Sequence, residues 1–175
     1  MTELQIAEDL IRHFADLRDG THGGVGGRAG KEALFRTAVR LLDPYATGVL
    51  TEFGTRLLAG RGRVEASGVV ADPRGLTASW TLTWAEQERA GVGPIALIAH
   101  FGAGFHHPHL RGFTIGEWPL NVFTEADARR QVPLLQVIAA GDLHNLVFES
   151  DYRIVPVTGN RNETGDAGGG PTADR

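Results

Sequence analysis

Apolar residues recur at helical spacing in the first third of the chain. They lie three or four positions apart over residues 3–17, which predicts an amphipathic helix with acidic residues in its first turn. The same spacing returns over residues 31–42. The pair Asp43-Pro44 is expected to end this second helix, because proline lacks the N–H that a helix interior needs.

Glycine dominates residues 19–30, between the two predicted helices. The segment differs from a phosphate-binding P-loop in three respects. Its glycine spacing is one residue too long, Glu32 stands where a P-loop has serine or threonine, and a predicted helix precedes it where a P-loop follows a strand. We therefore expect a flexible connection between helices. It could also fold over a ligand site as a lid, with His22 or Arg28 touching the ligand.

The pattern changes towards strands after residue 47. Residues 51–59 are predicted to form a short helix, and residues 64–71 alternate in polarity up to a turn at residues 72–75. Residues 76–84 then place leucine, alanine and tryptophan on one face and threonine and serine on the other, which predicts a half-buried strand. Trp80 and Trp84 are expected to lie in the core.

The last part of the chain mixes both patterns. We predict a strand over residues 117–123, a helix over residues 126–138 that is interrupted at Pro133, a strand over residues 146–149 and a closing strand over residues 152–157. The expected fold class is α+β. A helical N-terminal segment would pack on a curved, mainly antiparallel sheet that could close into a barrel or cone.

Length and composition predict one domain over residues 1–157. The 175-residue chain is 42% hydrophobic, enough to bury a good core. Residues 158–175 lack core-forming side chains and are predicted to be a disordered tail.

Composition also limits the cellular compartments and the classes of binding partner that we expect for this protein. The chain has no cysteine, which excludes disulfides and thiolate chemistry and suits a reducing compartment. No apolar run has the length of a membrane span, and the first residues are acidic where a secretory signal would be basic. A net charge of -4 without a basic run argues against nucleic-acid binding. Lys31 is the only lysine beside many arginines, and alanine and glycine are frequent, which suggests a GC-rich bacterial genome. The missing cysteines, membrane span and secretory signal lead us to expect a cytoplasmic protein.

Histidines concentrate in residues 100–111, HFGAGFHHPHLR. This stretch looks like a hairpin between a strand at residues 95–101 and a returning strand at residues 105–113. A two-residue loop at residues 103–104, or a four-residue loop at residues 102–105, pairs His100 with His107. This pairing places His100, His107, His109 and Arg111 on one face and gives the other face a coherent apolar surface. A three-residue loop would pair His100 with His106 and mix the two sets, so we favour the even register.

Three converging imidazoles predict a divalent transition metal, with Fe, Zn, Mn, Ni and Cu as candidates. The predicted ligands are His100, His107 and His109, or alternatively His107, His109 and His144. Three protein ligands leave a coordination position open for water or substrate. Histidines could equally line a metal-free pocket or a pH-sensitive interface.

Two short motifs suggest a known family. The pair His107-Pro-His109 and the later Gly141-Asp-Leu-His144 resemble the metal-binding motifs of the cupins, which are small β-barrels. The resemblance implies a metal held by the H-x-H pair together with the late histidine.

These observations favour an enzyme that acts on a small molecule. The metal would polarise a substrate oxygen or activate water or dioxygen, and Glu117, Asp142 or Arg111 would transfer protons or anchor the substrate. A second hypothesis is a metal-free isomerase, cyclase or dehydratase, in which Asp142 and His144 form an acid–base pair. A third is a non-catalytic binding module or subunit of a homo-oligomer or of a complex with another chain, whose histidines line an interface.

Overall fold

Helices and one antiparallel sheet make up the computed structural model, which describes residues 3–159. In chain order the elements are α1 (Glu3–Asp19), α2 (Arg28–Leu57), β1 (Arg63–Ala66), β2 (Val70–Asp72), β3 (Gly75–Thr83), α3 (Ala85–Ala90), β4 (Ile95–Gly102), β5 (His109–Arg111), β6 (Trp118–Pro119), α4 (Glu125–Arg130), α5 (Val132–Glu149), a 3₁₀ turn (Tyr152–Ile154) and α6 (Pro156–Gly159). Of the predicted tail, residues 160–175 lie outside the described residues, and its disorder stays a prediction.

The sheet has six strands in the order β1-β3-β4-β5-β6, and β2 also pairs with β3. Every pairing is antiparallel, as predicted. The sheet does not close into a barrel or cone, which corrects that part of the expectation while the α+β class is confirmed. Because β5 and β6 span only three and two residues, the sheet tapers towards this edge.

Alternation along β3 separates the two faces of the sheet. Leu76, Ala78, Trp80 and Leu82 are buried, and Trp80 Nε1 donates a 2.8 Å hydrogen bond to Asp43 Oδ1 of α2. This face is the core face, and the face predicted for β3 is therefore correct. The histidine-bearing positions of β4 and β5 belong to the opposite face, because side chains alternate along a strand.

Helix α2 continues through Pro44, where we expected it to end. Proline removes one backbone hydrogen bond from a helix. Leu42 before it and Ala46 and Leu50 after it are fully buried, so core packing on both sides outweighs that loss. Of the short helix predicted at residues 51–59, residues 51–57 form the last part of α2 and residues 58–59 follow its end. Within residues 3–159, no helix is long and apolar enough to cross a membrane.

Helix α5 replaces the strand that was predicted over residues 146–149. Its buried residues include Leu135, Ile138, Asp142 and Leu146, which recur at helical spacing and pack into the core. The predicted interruption of this helix is confirmed, but it lies at Gln131 between α4 and α5, and Pro133 falls in the first turn of α5. The predicted closing strand over residues 152–157 is also wrong, since a 3₁₀ turn and the short α6 occupy these positions. Likewise, only Trp118–Pro119 of the strand predicted over residues 117–123 forms β6.

Candidate metal centre

The pairing of β4 with β5 brings two histidines together. His100 lies opposite His109, and Ile98 lies opposite Arg111. The connection spans residues 103–108, so the predicted pairing of His100 with His107 is wrong, but the number of loop residues is even, as expected. A shift of two residues keeps every side chain on its predicted face, and His100, His109 and Arg111 therefore share one face.

A carboxylate joins this pair from β6. Pro119 pairs with His109, and alternation places Glu117, two residues earlier, on the histidine face. Glu117 Oε1 lies 3.1 Å from His100 Nε2, and Glu117 Oε2 lies 4.0 Å from His109 Nδ1. One donor atom of each of the three residues lies within 4.8 Å of the other two. Ligands that are each about 2.1 Å from one ion can be up to about 4.2 Å apart, so a small side-chain movement would suffice to coordinate an ion.

The two ring nitrogens of this group are unpaired. His100 Nε2 and His109 Nδ1 are both buried, and neither has a hydrogen-bond partner among the residues that the structure describes. The 3.1 Å contact of His100 with Glu117 is short, but it is not aligned as a hydrogen bond. Leaving buried nitrogens unpaired is unfavourable. A metal ion between them would satisfy both nitrogens at once.

His107 lies behind His109. Their Nε2 atoms are 3.1 Å apart, and the ring of His13 on α1 packs edge-on against His107 at 4.0 Å between centroids. A proton on His109 Nε2 would be donated to His107 and would leave Nδ1 free to face Glu117. Such a hydrogen bond fixes the tautomer of a ligand histidine. His107 is thus brought to the predicted site, but beside the group of three and not within it.

The glycine-rich connection folds back onto α1. Asp16 accepts hydrogen bonds from Thr21 Oγ1 at 2.6 Å and from the Gly23 amide at 2.9 Å. His22 is buried and packs against the ring of Phe123, with 4.9 Å between centroids. The connection between two helices is confirmed, and its role as a lid stays a prediction.

Two cations at the start of α2 bind backbone carbonyls. Arg28 donates to the carbonyls of Phe101 and Gly102 and stacks on the ring of Phe101, 3.7 Å from its centroid. Lys31 Nζ donates to the His106 carbonyl at 2.7 Å. Arg28 thus holds α2 to the end of β4, and Lys31 holds it to the connection between β4 and β5. Arg28 is therefore engaged in packing at the position where a ligand contact was considered.

Burial lowers the pKa of all five clustered imidazoles, which belong to His13, His22, His100, His107 and His109. The pKa of His22 falls to about 4. Burial, followed by the neighbouring His13 and His109, lowers the pKa of His107 to about 3. For His100, burial lowers the pKa and the Glu117 carboxylate opposes it. These imidazoles are neutral near pH 7, which is the form that coordinates metals.

Phe105 and Arg111 border the group of three. The Phe105 ring lies 5.4 Å from the ring of His100 and 5.0 Å from that of His109, between centroids. Arg111 is half-buried on the same face and donates to the Gly112 carbonyl at 2.9 Å. Phe105 supplies an apolar wall, and Arg111 supplies a positive charge.

The structure separates the predicted pair of Asp142 and His144. Asp142 is fully buried, and its carboxylate accepts hydrogen bonds from the amides of Ala96, Phe113 and Thr114. His144 is exposed on α5, where its ring stacks on Phe148. Helical spacing of two residues points the side chains in different directions, so these two residues do not form an acid–base pair.

Sequence reasoning did not identify His13 and Phe105. His13 and Asp16 are buried polar residues three apart on α1, whereas the apolar residues Ile11, Phe14 and Leu17 of the same helix are exposed. Hydrophobic periodicity therefore indicated the other face of α1 and carried no signal for these two residues. Phe105 carried no signal, since an aromatic residue beside a turn is common.

The resemblance to cupins does not extend to the fold. The sheet is open, and His144 lies on α5 and not on a strand. Comparison of the chain with protein-family models, with curated proteins and with solved structures found no match. Functional inference therefore rests on the geometry of the histidine face.

Proposed function

We propose that this protein is a metal-dependent enzyme, in which His100, His109 and Glu117 bind one divalent transition metal ion: Fe, Zn, Mn, Ni or Cu. The observation that carries the proposal is the pair of buried, unpaired ring nitrogens facing one carboxylate. Two histidines and one carboxylate recur in catalytic zinc sites and in non-haem iron sites, because three protein ligands leave positions open.

The surroundings of the group suit a small-molecule substrate. The Glu117 side chain is 43% exposed, so the group is accessible from solvent. A bound metal would activate water, dioxygen or a substrate oxygen. Arg111 would bind an anionic group of the substrate, and Phe105 would contact its apolar part. The composition favours a bacterial, cytoplasmic enzyme.

Metal binding is tested with protein produced without a histidine tag. We expect elemental analysis to find one metal ion per chain and a Co²⁺ titration to produce visible ligand-field bands. Glu117→Gln and His109→Ala should weaken Co²⁺ binding by about 10- to 100-fold or more. His144→Ala and His106→Ala remove exposed histidines and serve as matched controls. Wild-type affinity no better than that of Glu117→Gln would refute the site.

A second measurement separates a catalytic centre from a structural one. If the metal has an open coordination position, azide should shift the bands of the Co²⁺ protein in a saturable way. The Co²⁺-loaded His144→Ala variant should respond identically. A wild-type spectrum that does not respond to azide would mean a closed site and would contradict the catalytic role.

The 3.1 Å contact between His100 and Glu117 favours a second candidate, in which these two side chains act as an acid–base pair without a metal. The two candidates differ in their response to chelation. An activity lost with chelator and restored by one particular metal supports the metal enzyme. An activity that survives complete metal removal and disappears in Glu117→Gln supports the acid–base pair.

A further inference from the structure

An apolar pocket lies between α1, β6 and the start of α5, and its Trp118 directly follows Glu117 in the chain. Its volume is about 320 Å³, near the lower limit for sites that hold small organic molecules. Leu10, Trp118, Leu134 and Val137 supply much of its wall. Val137 is 64% exposed and Trp118 is 40% exposed, which is high for large apolar side chains and leaves apolar surface for a ligand to cover.

One residue that lines the pocket, Asn121, carries a buried, unpaired acceptor. Asn121 is only 3% exposed, and its Nδ2 donates a 3.1 Å hydrogen bond to the Asp9 carbonyl. A carbonyl can only accept, so the amide nitrogen must face Asp9. Asn121 Oδ1 is then left buried, without a hydrogen-bond partner in the described part of the chain. Buried acceptors of this kind are rare because they forfeit their hydration.

Asn121 favours one class of ligand. Its Oδ1 accepts hydrogen bonds, and the Asp9 carboxylate, which also lines the pocket, accepts them when ionised, while the amide of Gln131 in the same wall can both donate and accept. A ligand that offers an N–H or O–H group would therefore find a partner at this end. A ligand with only acceptors would leave Oδ1 unpaired.

We propose that this pocket binds a small, largely apolar molecule with one N–H or O–H donor, which Asn121 Oδ1 accepts. The apolar body of the ligand lies between Leu10 of α1, Trp118 of β6 and Leu134 of α5. Because α1 forms one wall, binding also holds α1 against the rest of the fold. The pocket shares no residue with the metal group, so this proposal does not depend on the proposed enzyme.

Two probes with nearly the same apolar body test the donor. Indole has an N–H group and 1-methylindole does not, and their binding can be followed by titration in ¹H–¹⁵N correlation spectra. We expect indole to bind at least about tenfold more tightly, which is the effect of about 1.4 kcal/mol for a buried hydrogen bond. We also expect indole to slow amide hydrogen exchange in α1. Equal affinities for the two probes, or no saturable binding of indole, would overturn the proposal.

Variants locate the probe within the pocket. Asn121→Leu keeps a similar shape but removes the acceptor, so it should abolish the preference for indole. Val137→Trp places a large ring at the wall of the pocket and should weaken both probes, whereas Phe148→Trp on the same helix, at an 86% exposed position, should change neither. Unchanged indole affinity in Val137→Trp would place the probe elsewhere and refute the assignment. If Asn121→Leu does not fold, the comparison of probes on the wild-type chain still decides.

Discussion

Replacing Asp142 by asparagine should destabilise the fold and leave the metal ligands in place. Asp142 is fully buried on α5. Its Oδ2 accepts from the amides of Ala96 at 3.1 Å and Phe113 at 2.7 Å, and its Oδ1 accepts from the amide and the hydroxyl of Thr114, both at 2.7 Å. The carboxylate thus ties α5 to β4 and to the segment that follows β5.

The four hydrogen bonds set the expected magnitude. In the Asp142→Asn variant an NH₂ group replaces one oxygen. At Oδ2 it would leave the amides of Ala96 and Phe113 without an acceptor, whereas at Oδ1 it leaves only the Thr114 amide without one, because the Thr114 hydroxyl can accept from the NH₂ group. Hydrogen bonds to a charged group contribute about 1.5 to 3 kcal/mol each, so even in the less costly orientation we expect a loss of at least about 1.5 to 3 kcal/mol in the free energy of unfolding. That is a large fraction of the roughly 5 to 15 kcal/mol by which domains are stable.

Urea unfolding, followed by tryptophan fluorescence and circular dichroism, measures this loss. Thr114→Val is the comparison variant, because it keeps the Asp142 carboxylate. It removes the hydroxyl bond to Asp142 and the 2.9 Å bond that Asn145 Nδ2 donates to that hydroxyl, and it should cost about 2 to 4.5 kcal/mol. Folded Asp142→Asn protein should bind Co²⁺ as tightly as the wild type. A variant that is as stable as the wild type but has lost an activity would refute the structural role and restore Asp142 as a catalytic candidate.

Three further outcomes are expected. Because the pKa of His22 is about 4 in the folded chain and near 6.5 when unfolded, the unfolded state binds more protons between these values. Stability should therefore fall as the pH drops from about 6.5 to about 4, by up to about 3 kcal/mol for this residue. His22→Phe should flatten the pH dependence of urea midpoints, and an unchanged slope would contradict the assignment. Gly75→Ala should cost roughly 3 kcal/mol in thermal or urea unfolding, because Gly75 has φ of 133° and a Cβ would collide with the Phe101 carbonyl. Gly68→Ala is the control: Gly68 has φ of 63°, but a Cβ there would meet no atom within 4 Å, so the loss should be only about 1 kcal/mol. Equal losses for the two variants would argue against the collision at Gly75. Arg28→Met should lose about 1 to 3 kcal/mol, since it removes two hydrogen bonds to carbonyls of β4, a cation–π contact and the half-exposed ion pair with Glu32. Amides at the end of β4 should exchange faster, and unchanged exchange would refute the packing role.

Hydrophobic periodicity, which is a local property of the sequence, determined which face of a strand is buried. Alternation placed Trp80 in the core, and parity placed His100, His109 and Arg111 together on the other face. A two-residue error in register does not change the face, so the predicted face is correct although the predicted pairing is wrong.

Contacts distant in sequence decided the rest. The short apolar segment at residues 146–149 suits a strand or a helix equally well, and only packing against the core selects α5. Pro44 is a local signal for a helix end, but burial of Leu42, Ala46 and Leu50 on both sides overrides it.

Some residues of the candidate site follow from local periodicity, and others are brought there only by contacts distant in sequence. The sequence placed His100 and His109 on one face, because both belong to one hairpin. Glu117 completes the group only through the pairing of β6 with β5, and His13 reaches His107 only because α1 packs there. A histidine cluster can be recognised along the chain, but which donor atoms meet depends on strand register and helix packing, and neither has a local signature.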